Sequence, residues 1–312
     1  MKVELSLGQS QTLKGVSITL ILLHHFAQHF NSINMLPTSL NVFLGCGVIG
    51  CAMFFFLSSY GIEKTKKYTK EGYFRNRFIA VLIPFFIANI CYIVSRFING
   101  ARYDLHEVYL LVTGLKQIIP VGWFLYCLMG LYLSMYISVR WHLNKYICTI
   151  IGGLLFSIFY PMVTCSFLAF VIGIYVAGRA NVFEKCSDII VLPLLLIVFV
   201  GAMSQNFIND FIVNTPARLI GLQLTILAFP LLMAWKPVVS ILEKLKVFKW
   251  IGEQSMGLYL LHYMVLTVIF GYKEILGIWY SLVIYSAVTL GISYIFNILT
   301  GRLVNKTKKI FA

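Results

Sequence analysis

The stretch NVFLGCGVIGCAMFFFLSSYGI, residues 41–62, holds no charged side chain, and EKTKKYTKEGYFRNR, residues 63–77, follows it with Lys64, Lys66, Lys67, Lys70, Arg75 and Arg77. Wound as an α-helix at about 1.5 Å per residue, the first part extends about 33 Å, enough to cross a hydrocarbon core of about 30 Å. A basic run at the end of such a block marks a cytoplasmic loop. This pair of signals recurs along the chain and decides the fold.

Working outward, ten apolar blocks read as spans: 13–31, 41–62, 78–98, 121–139, 146–161, 164–179, 188–204, 216–235, 254–271 and 278–299. The connections between them alternate in charge. One set holds 20 of the 25 lysines and arginines, in 63–77, 140–145, 179–186, 236–249, the tail, and Lys2 and Lys14 near the start. The other set holds only Arg96, Arg102, Lys116, Arg218 and Lys273. Basic loops stay in the cytoplasm, and an even number of spans brings the chain back to its starting side. The expected fold is all-α, a polytopic membrane protein with about ten transmembrane helices and both termini cytoplasmic. No linker or low-complexity run divides it, so residues 1–312 read as a single transmembrane domain. Residues 104–120 are apolar but short and read as a segment along the outer interface.

Composition points the same way. The 312 residues are 60% hydrophobic and 12% charged, with a mean hydropathy of +0.86, whereas soluble domains carry about 25% charged residues. The net charge of +14 would suggest nucleic acid in a soluble protein. Here the cations lie between apolar blocks instead of forming a basic face with exposed aromatics, so nucleic acid is not an expected partner. Cys46, Cys51, Cys91, Cys127, Cys148, Cys165 and Cys186 form no CxxC pair, and reduced core thiols are expected. The first block carries Lys14 and three histidines and has no small-residue cleavage site, so no removed signal peptide is expected.

Titratable groups inside lipid are costly, which makes each one a functional candidate. The first span reads KGVSITLILLHHFAQH, residues 14–29. Lys14 and His25 are eleven residues apart, about three helical turns, so they share one face with the imidazole about 16 Å deeper. Histidine suits general acid–base work because its ordinary pKa lies near working pH. The competing reading is a ring bonded to a neighbouring helix as packing glue, which is preferred for His24. His29, one turn further out, reads as a solvated or partner-bound ring. His25 and His29 have the spacing of a metal pair, but no acidic or cysteine cluster in a span completes a site, and no metal is expected.

The ninth span begins IGEQSMGLYLLH, residues 251–262, where Ser255, Tyr259 and His262 follow an i, i+4, i+7 pattern and form one polar stripe. Ser255 also fits a helix N-cap. Two mid-depth histidines on different helices suggest a polar cavity. Arg75 and Arg77, at the start of the third span, supply cations suited to a phosphorylated ligand such as coenzyme A. The remaining loop lysines fit orientation and contact with anionic lipid.

Five stretches then coincide in order. They are Lys14-x10-His25 with LLHHF, MFFFLSSYGI (53–62), FRNRFIAVLIPF (74–85), GWFLYCLMGLYL (122–133) and IGEQSMGLYLLH (251–262). In these motifs the chain resembles the acyltransferase-3 family of bacterial integral-membrane O-acyltransferases. The resemblance implies a ten-helix enzyme of the bacterial cytoplasmic (inner) membrane. Such an enzyme moves an acyl group, usually acetyl, from acetyl-CoA or another acyl-CoA to a hydroxyl of an envelope polysaccharide or lipid-linked glycan. It implies that His25 is the essential catalytic residue. The family's first-span arginine falls on Lys14, a second arginine of the third span falls on Ala80, and an often polar position before Trp123 is Gly122.

The mechanism expected from these residues is general-base attack of the glycan hydroxyl on the thioester. His25 is the base, with His262 beside it in the catalytic set. Tyr259, Ser255 or Trp123 donates to the oxyanion, and Arg75, Arg77 and Lys14 hold the donor. A covalent acyl-histidine route competes with it. The rival function is a glycolipid transporter or flippase using the same polar cavity, although no matched pair of broken helices supports one.

Overall fold

The computed structural model describes residues 4–160, 166–178, 193–194, 196–198 and 216–311. Among them every regular element is helical and there is no strand. That outcome follows from the apolar blocks, since in lipid each backbone amide must be satisfied within its own segment.

Helix α1 covers Leu7–Asn31. Its start is set by a capping box: the Ser6 side chain accepts from the Gln9 amide, and the Gln9 side chain accepts from the Ser6 amide. A 3₁₀ segment, Thr38–Gly45, leads into α2, Cys46–Thr65. Next come α3 (Tyr73–Ile98), α4 (Leu105–Thr113), α5 (Trp123–Arg140), α6 (Lys145–Phe159) and α7 (Leu168–Gly178). After the gap in the description follow α8 (Pro216–Met233), α9 (Lys236–Lys244), α10 (Lys246–Glu253), α11 (Ser255–Phe270) and α12 (Lys273–Ile310). The backbone leaves helical geometry at Gly277 (φ 65°, ψ 172°), where the sequence places the start of its last span.

Among the described residues, four helical runs are long and apolar enough to cross a membrane: Thr38–Thr65, Tyr73–Ile98, Trp123–Arg140 and Ile275–Ile310. The bent pair α8–α9, which turns by 66°, makes a fifth if counted as one span. The regions expected as the fifth, sixth and ninth spans are apolar helices of 15, 11 and 16 residues, short of the roughly 20 that a full crossing takes. Helix α1 has the length, at 25 residues, but its polar stripe keeps it out of the apolar set. The expected span 188–204 lies mostly outside the described residues. On α3 the side chains of Ile90, Val94 and Phe97 are exposed along one i, i+4, i+7 stripe, which is a lipid-facing pattern on a protein with this composition.

The chain divides into two compact units that interleave in sequence. The first comprises Met1–Thr69 and Cys127–Glu253, and the second Lys70–Tyr126 and Gln254–Ala312. In the first unit α1 lies against α2 and α10, and α2 lies against α7. The α1–α10 contact is backbone to backbone. A Cβ on Gly15 would stand 1.8 Å from the Phe248 carbonyl oxygen, and one on Gly252 would stand 1.8 Å from that of Gln11. In the second unit α3 packs with α4, α11 and α12, and α11 packs with α12. Cys46, Cys51, Cys91, Cys127 and Cys148 are free thiols, while Cys165 and Cys186 fall outside the described residues.

Candidate active site

Helix α1 runs unbroken from Lys14 to His25, so the three-turn spacing read from the sequence is realised on one rod. Its buried residues include Leu13, Ile18, Ile21, His24, Phe26 and Phe30. Lys14 and His25 are half-buried and lie on the side of the helix that the buried Ile18 and Ile21 share. The adjacent histidines part company. His24 is 6% exposed, and its Nδ1 donates to the Phe43 carbonyl at 3.1 Å, tying α1 to the 3₁₀ segment before α2. That is the packing role preferred for it.

His25 is held differently. Its Nδ1 meets the Oε1 of Gln28 at 3.1 Å. An amide oxygen only accepts, so this bond puts the ring proton on Nδ1 and the lone pair on Nε2. Nε2 is then the basic nitrogen. His29 donates from Nδ1 to the His25 carbonyl at 3.2 Å, one turn back on the same helix. Gln28 sits three residues after His25, a spacing at which helical side chains meet. The sequence displays that relation without flagging it as chemistry.

The second unit holds the remaining predicted residues. His262 is fully buried, and its Nδ1 is shared between the carbonyls of Leu258 at 3.0 Å and Tyr259 at 2.8 Å, fixing the same tautomer. The Tyr259 ring lies 6.0 Å from that of His262 and 5.2 Å from Phe124. The stripe expected on α11 is therefore real for these two residues. The Tyr259 hydroxyl donates to the Val121 carbonyl, so its single proton is engaged in holding the segment before α5. Oxyanion donation from Tyr259 would require breaking that bond.

Ser255 is the first residue of α11 rather than its cap; Gln254 occupies the cap position without a side-chain bond. The first turn is secured instead by Asn297 of α12. Its Nδ2 donates to the Gln254 carbonyl and side-chain oxygen, each at 3.0 Å, and its Oδ1 accepts from the Gly257 amide at 3.0 Å. Nothing local in the sequence singles out Asn297, which lies 40 residues downstream of the amide it caps.

Trp123 opens α5 half-buried, with its ring edge-on to Phe124. At the start of α3 both arginines are braced by aromatic rings. Arg75 lies over Phe311 with its guanidinium carbon 5.8 Å from the ring centre. Arg77 lies 5.3 Å over Tyr73, and its Nε donates to the Tyr73 hydroxyl at 3.1 Å. Lys308, from the end of α12, is close enough to Arg77 for the two charges to repel. This cationic end of the second unit suits a polyanion.

In the first unit two of the basic-loop cations have carboxylate partners instead. Lys145 pairs at 2.7 Å with Glu63, which is 4% exposed, and Lys64 pairs at 3.4 Å with Glu4. Tyr68 adjoins the buried pair. Burial first, and then the Glu63 charge and a hydrogen bond to it, push its hydroxyl above the usual phenol range.

The predicted residues thus fall into two groups, with Lys14 and His25 in the first unit and Arg75, Arg77, Trp123, Ser255, Tyr259 and His262 in the second. The acyltransferase-3 family, described as an acyltransferase domain, matches residues 9–298, a stretch that contains every one of them. No curated protein and no solved structure gives a match.

Proposed function

The chain belongs to the acyltransferase-3 family, and from that membership we propose that it is a membrane O-acetyltransferase that takes its acetyl group from a cytoplasmic acyl-CoA. The acceptor in this reading is a hydroxyl of an envelope polysaccharide or a lipid-linked glycan. The protein then resides in a bacterial inner membrane, with ten spans and both termini cytoplasmic. The alternation of basic and weakly charged connections supports that topology.

The observation that carries the chemistry is the state of His25. With Nδ1 engaged by Gln28, its basic nitrogen is Nε2, on a half-buried face of α1. In the proposed step Nε2 removes the acceptor hydroxyl proton while the oxygen attacks the thioester carbonyl carbon. The carbon–sulfur bond then breaks, and the departing thiolate takes the proton from the His25 imidazolium, leaving an ester and free coenzyme A. Ser255 and the Trp123 indole N–H are the candidates for oxyanion donation. Arg75 and Arg77 are assigned to the donor phosphates, and Lys14 to the donor side of α1. His262, oriented by two backbone carbonyls, is assigned a supporting position in the polar lining of α11.

The test is acetyl-CoA-dependent transfer in isolated membranes, together with a comparison of envelope glycans from cells with and without the gene. An ester present only with the intact gene, and absent again with His25→Ala, is the expected result and names the acceptor. Undiminished transfer by His25→Ala would remove the proposed base.

A further inference from the structure

The second unit contains a cavity of about 450 Å³, half open, that none of the residues assigned above lines. Its size falls within the range of small-ligand sites. Tyr92, Arg96 and Asn99 come from the last third of α3 and its end, Tyr103 from the following loop, and Tyr263 and Thr267 from the second half of α11. We infer that this cavity binds a saccharide unit bearing an anionic group and is the acceptor subsite of the enzyme. The inference rests on the acyl-transfer reading.

Three features point to that chemistry. Tyrosine rings offer flat apolar faces with a polar edge, matching a pyranose, whose C–H faces are apolar and whose rim carries hydroxyls. Asn99, Thr267 and the tyrosine hydroxyls supply both donors and acceptors. Asn99 and Thr267 are exposed and already donate to the Ser95 and Tyr263 carbonyls, at 2.7 and 2.8 Å, which leaves their oxygens to accept from sugar hydroxyls. Tyr92, 4% exposed, contributes to the cavity wall.

The third feature is charge. Among the described residues of the lining Arg96 alone is charged, and none of them carries a carboxylate. One of the Arg96 nitrogens donates to the Ile118 carbonyl at 3.3 Å, which engages one of five N–H donors. The wall it braces is built, not loose. Gln117 donates to the carbonyls of Ile119 and Pro120, both at 2.9 Å, and Tyr126 donates to that of Gly114 at 2.7 Å. Carboxylate and phosphate both fit a guanidinium fork, so the shared requirement is a single anionic group on a sugar.

Position completes the case. Arg77 and Arg96 stand at opposite ends of α3, 19 residues and therefore about 28 Å apart along the helix, close to the thickness of a hydrocarbon core. The cavity thus opens at the membrane face remote from the cations assigned to coenzyme A. One of its walls, Tyr263, meets the His262 ring edge-on at 6.2 Å.

The test uses the full chain in phosphatidylcholine nanodiscs, with binding read by saturation-transfer NMR. The probes are a glucuronate-containing disaccharide, glucose 1-phosphate and neutral cellobiose. Either acidic sugar is expected to bind at least tenfold more tightly than cellobiose. Arg96→Gln is expected to erase that preference, Arg96→Lys to retain part of it, and Tyr103→Ala to weaken all three sugars. If Arg96→Gln does not fold, the Arg96→Lys and Tyr103→Ala comparisons carry the test. Equal binding of acidic and neutral sugars, or displacement of the sugars by phosphatidylglycerol nanodiscs, overturns the proposal. Acetyl-CoA binding is measured on the same preparations. Sugar binding without acetyl-CoA binding defeats the acyl-transfer reading, whereas acetyl-CoA binding without sugar binding defeats only the subsite.

Discussion

Helices α1 and α11 each carry a histidine assigned to the site, and the two rings are held by opposite means. On α11 the Nδ1 of His262 is satisfied by its own helix, through the carbonyls three and four residues back, and the ring is fully buried. On α1 the Nδ1 of His25 is satisfied by a side chain, Gln28, and the ring is half-buried. A ring bonded to its own backbone is an architectural piece whose tautomer cannot be adjusted without unwinding the helix. A ring bonded to a glutamine keeps its tautomer only while that amide is present, so one substitution can detune it. The difference separates a residue that holds shape from one suited to move a proton.

Substitutions can break or sharpen that contrast. His25→Ala is expected to lower transfer by about 10²–10⁴-fold, the usual contribution of a positioned acid–base group, while the detergent melting temperature stays near that of the parent. His262→Ala is expected to do the reverse in stability. Emptying a fully buried ring site costs about 2–5 kcal/mol by analogy with large-to-small core changes, seen as a clear drop in melting temperature. Gly252→Ala would press a methyl group onto the Gln11 carbonyl, forcing α10 off α1 at a cost of about 1–3 kcal/mol. Thermal unfolding and the yield of folded protein report it.

Tyr259→Phe leaves the Val121 carbonyl without its donor, and a loss of about 1–2 kcal/mol is expected by the same melting assay. The smallest effect is expected from Gln28→Ala. Freed to adopt either tautomer, His25 should lose about tenfold in kcat, about 1.4 kcal/mol in the barrier, with KM for acetyl-CoA unchanged. An equal loss in KM would assign Gln28 to binding instead.

Much of the helical layout was legible because apolar runs without charge leave few alternatives. The expected spans 78–98 and 254–271 fall on Tyr73–Ile98 and Ser255–Phe270, and the last one begins at the Gly277 break. Helix α1 begins six residues before the expected span because its first turns are polar, although Ser6 and Gln9 have the spacing of a capping box. Residues 236–249 read as a basic loop and in fact lie in the two short helices α9 and α10. Their amphipathic period is too brief to stand out beside four lysines. Within the candidate site the stripe on α11 was visible from spacing alone. The hydrogen bonds of Tyr259 to Val121 and of Asn297 to the first turn of α11 join positions 138 and 40 or more residues apart, and no local pattern reveals such pairs.

The seating of α1 on α10 also bears on biosynthesis. About 215 residues separate the end of α1 from the beginning of its glycine-matched partner, and ribosomes add about 5–20 residues per second. For roughly ten to forty seconds, then, a helix bearing a lysine and three histidines must wait in the bilayer with its docking groove unfilled. Among the described residues, the 3₁₀ segment and α2, synthesised directly after it, shelter it in the meantime. Mutations that loosen the α1–α2 pair would accordingly be felt first as failed insertion and degradation of the nascent chain, before any finished protein could be assayed.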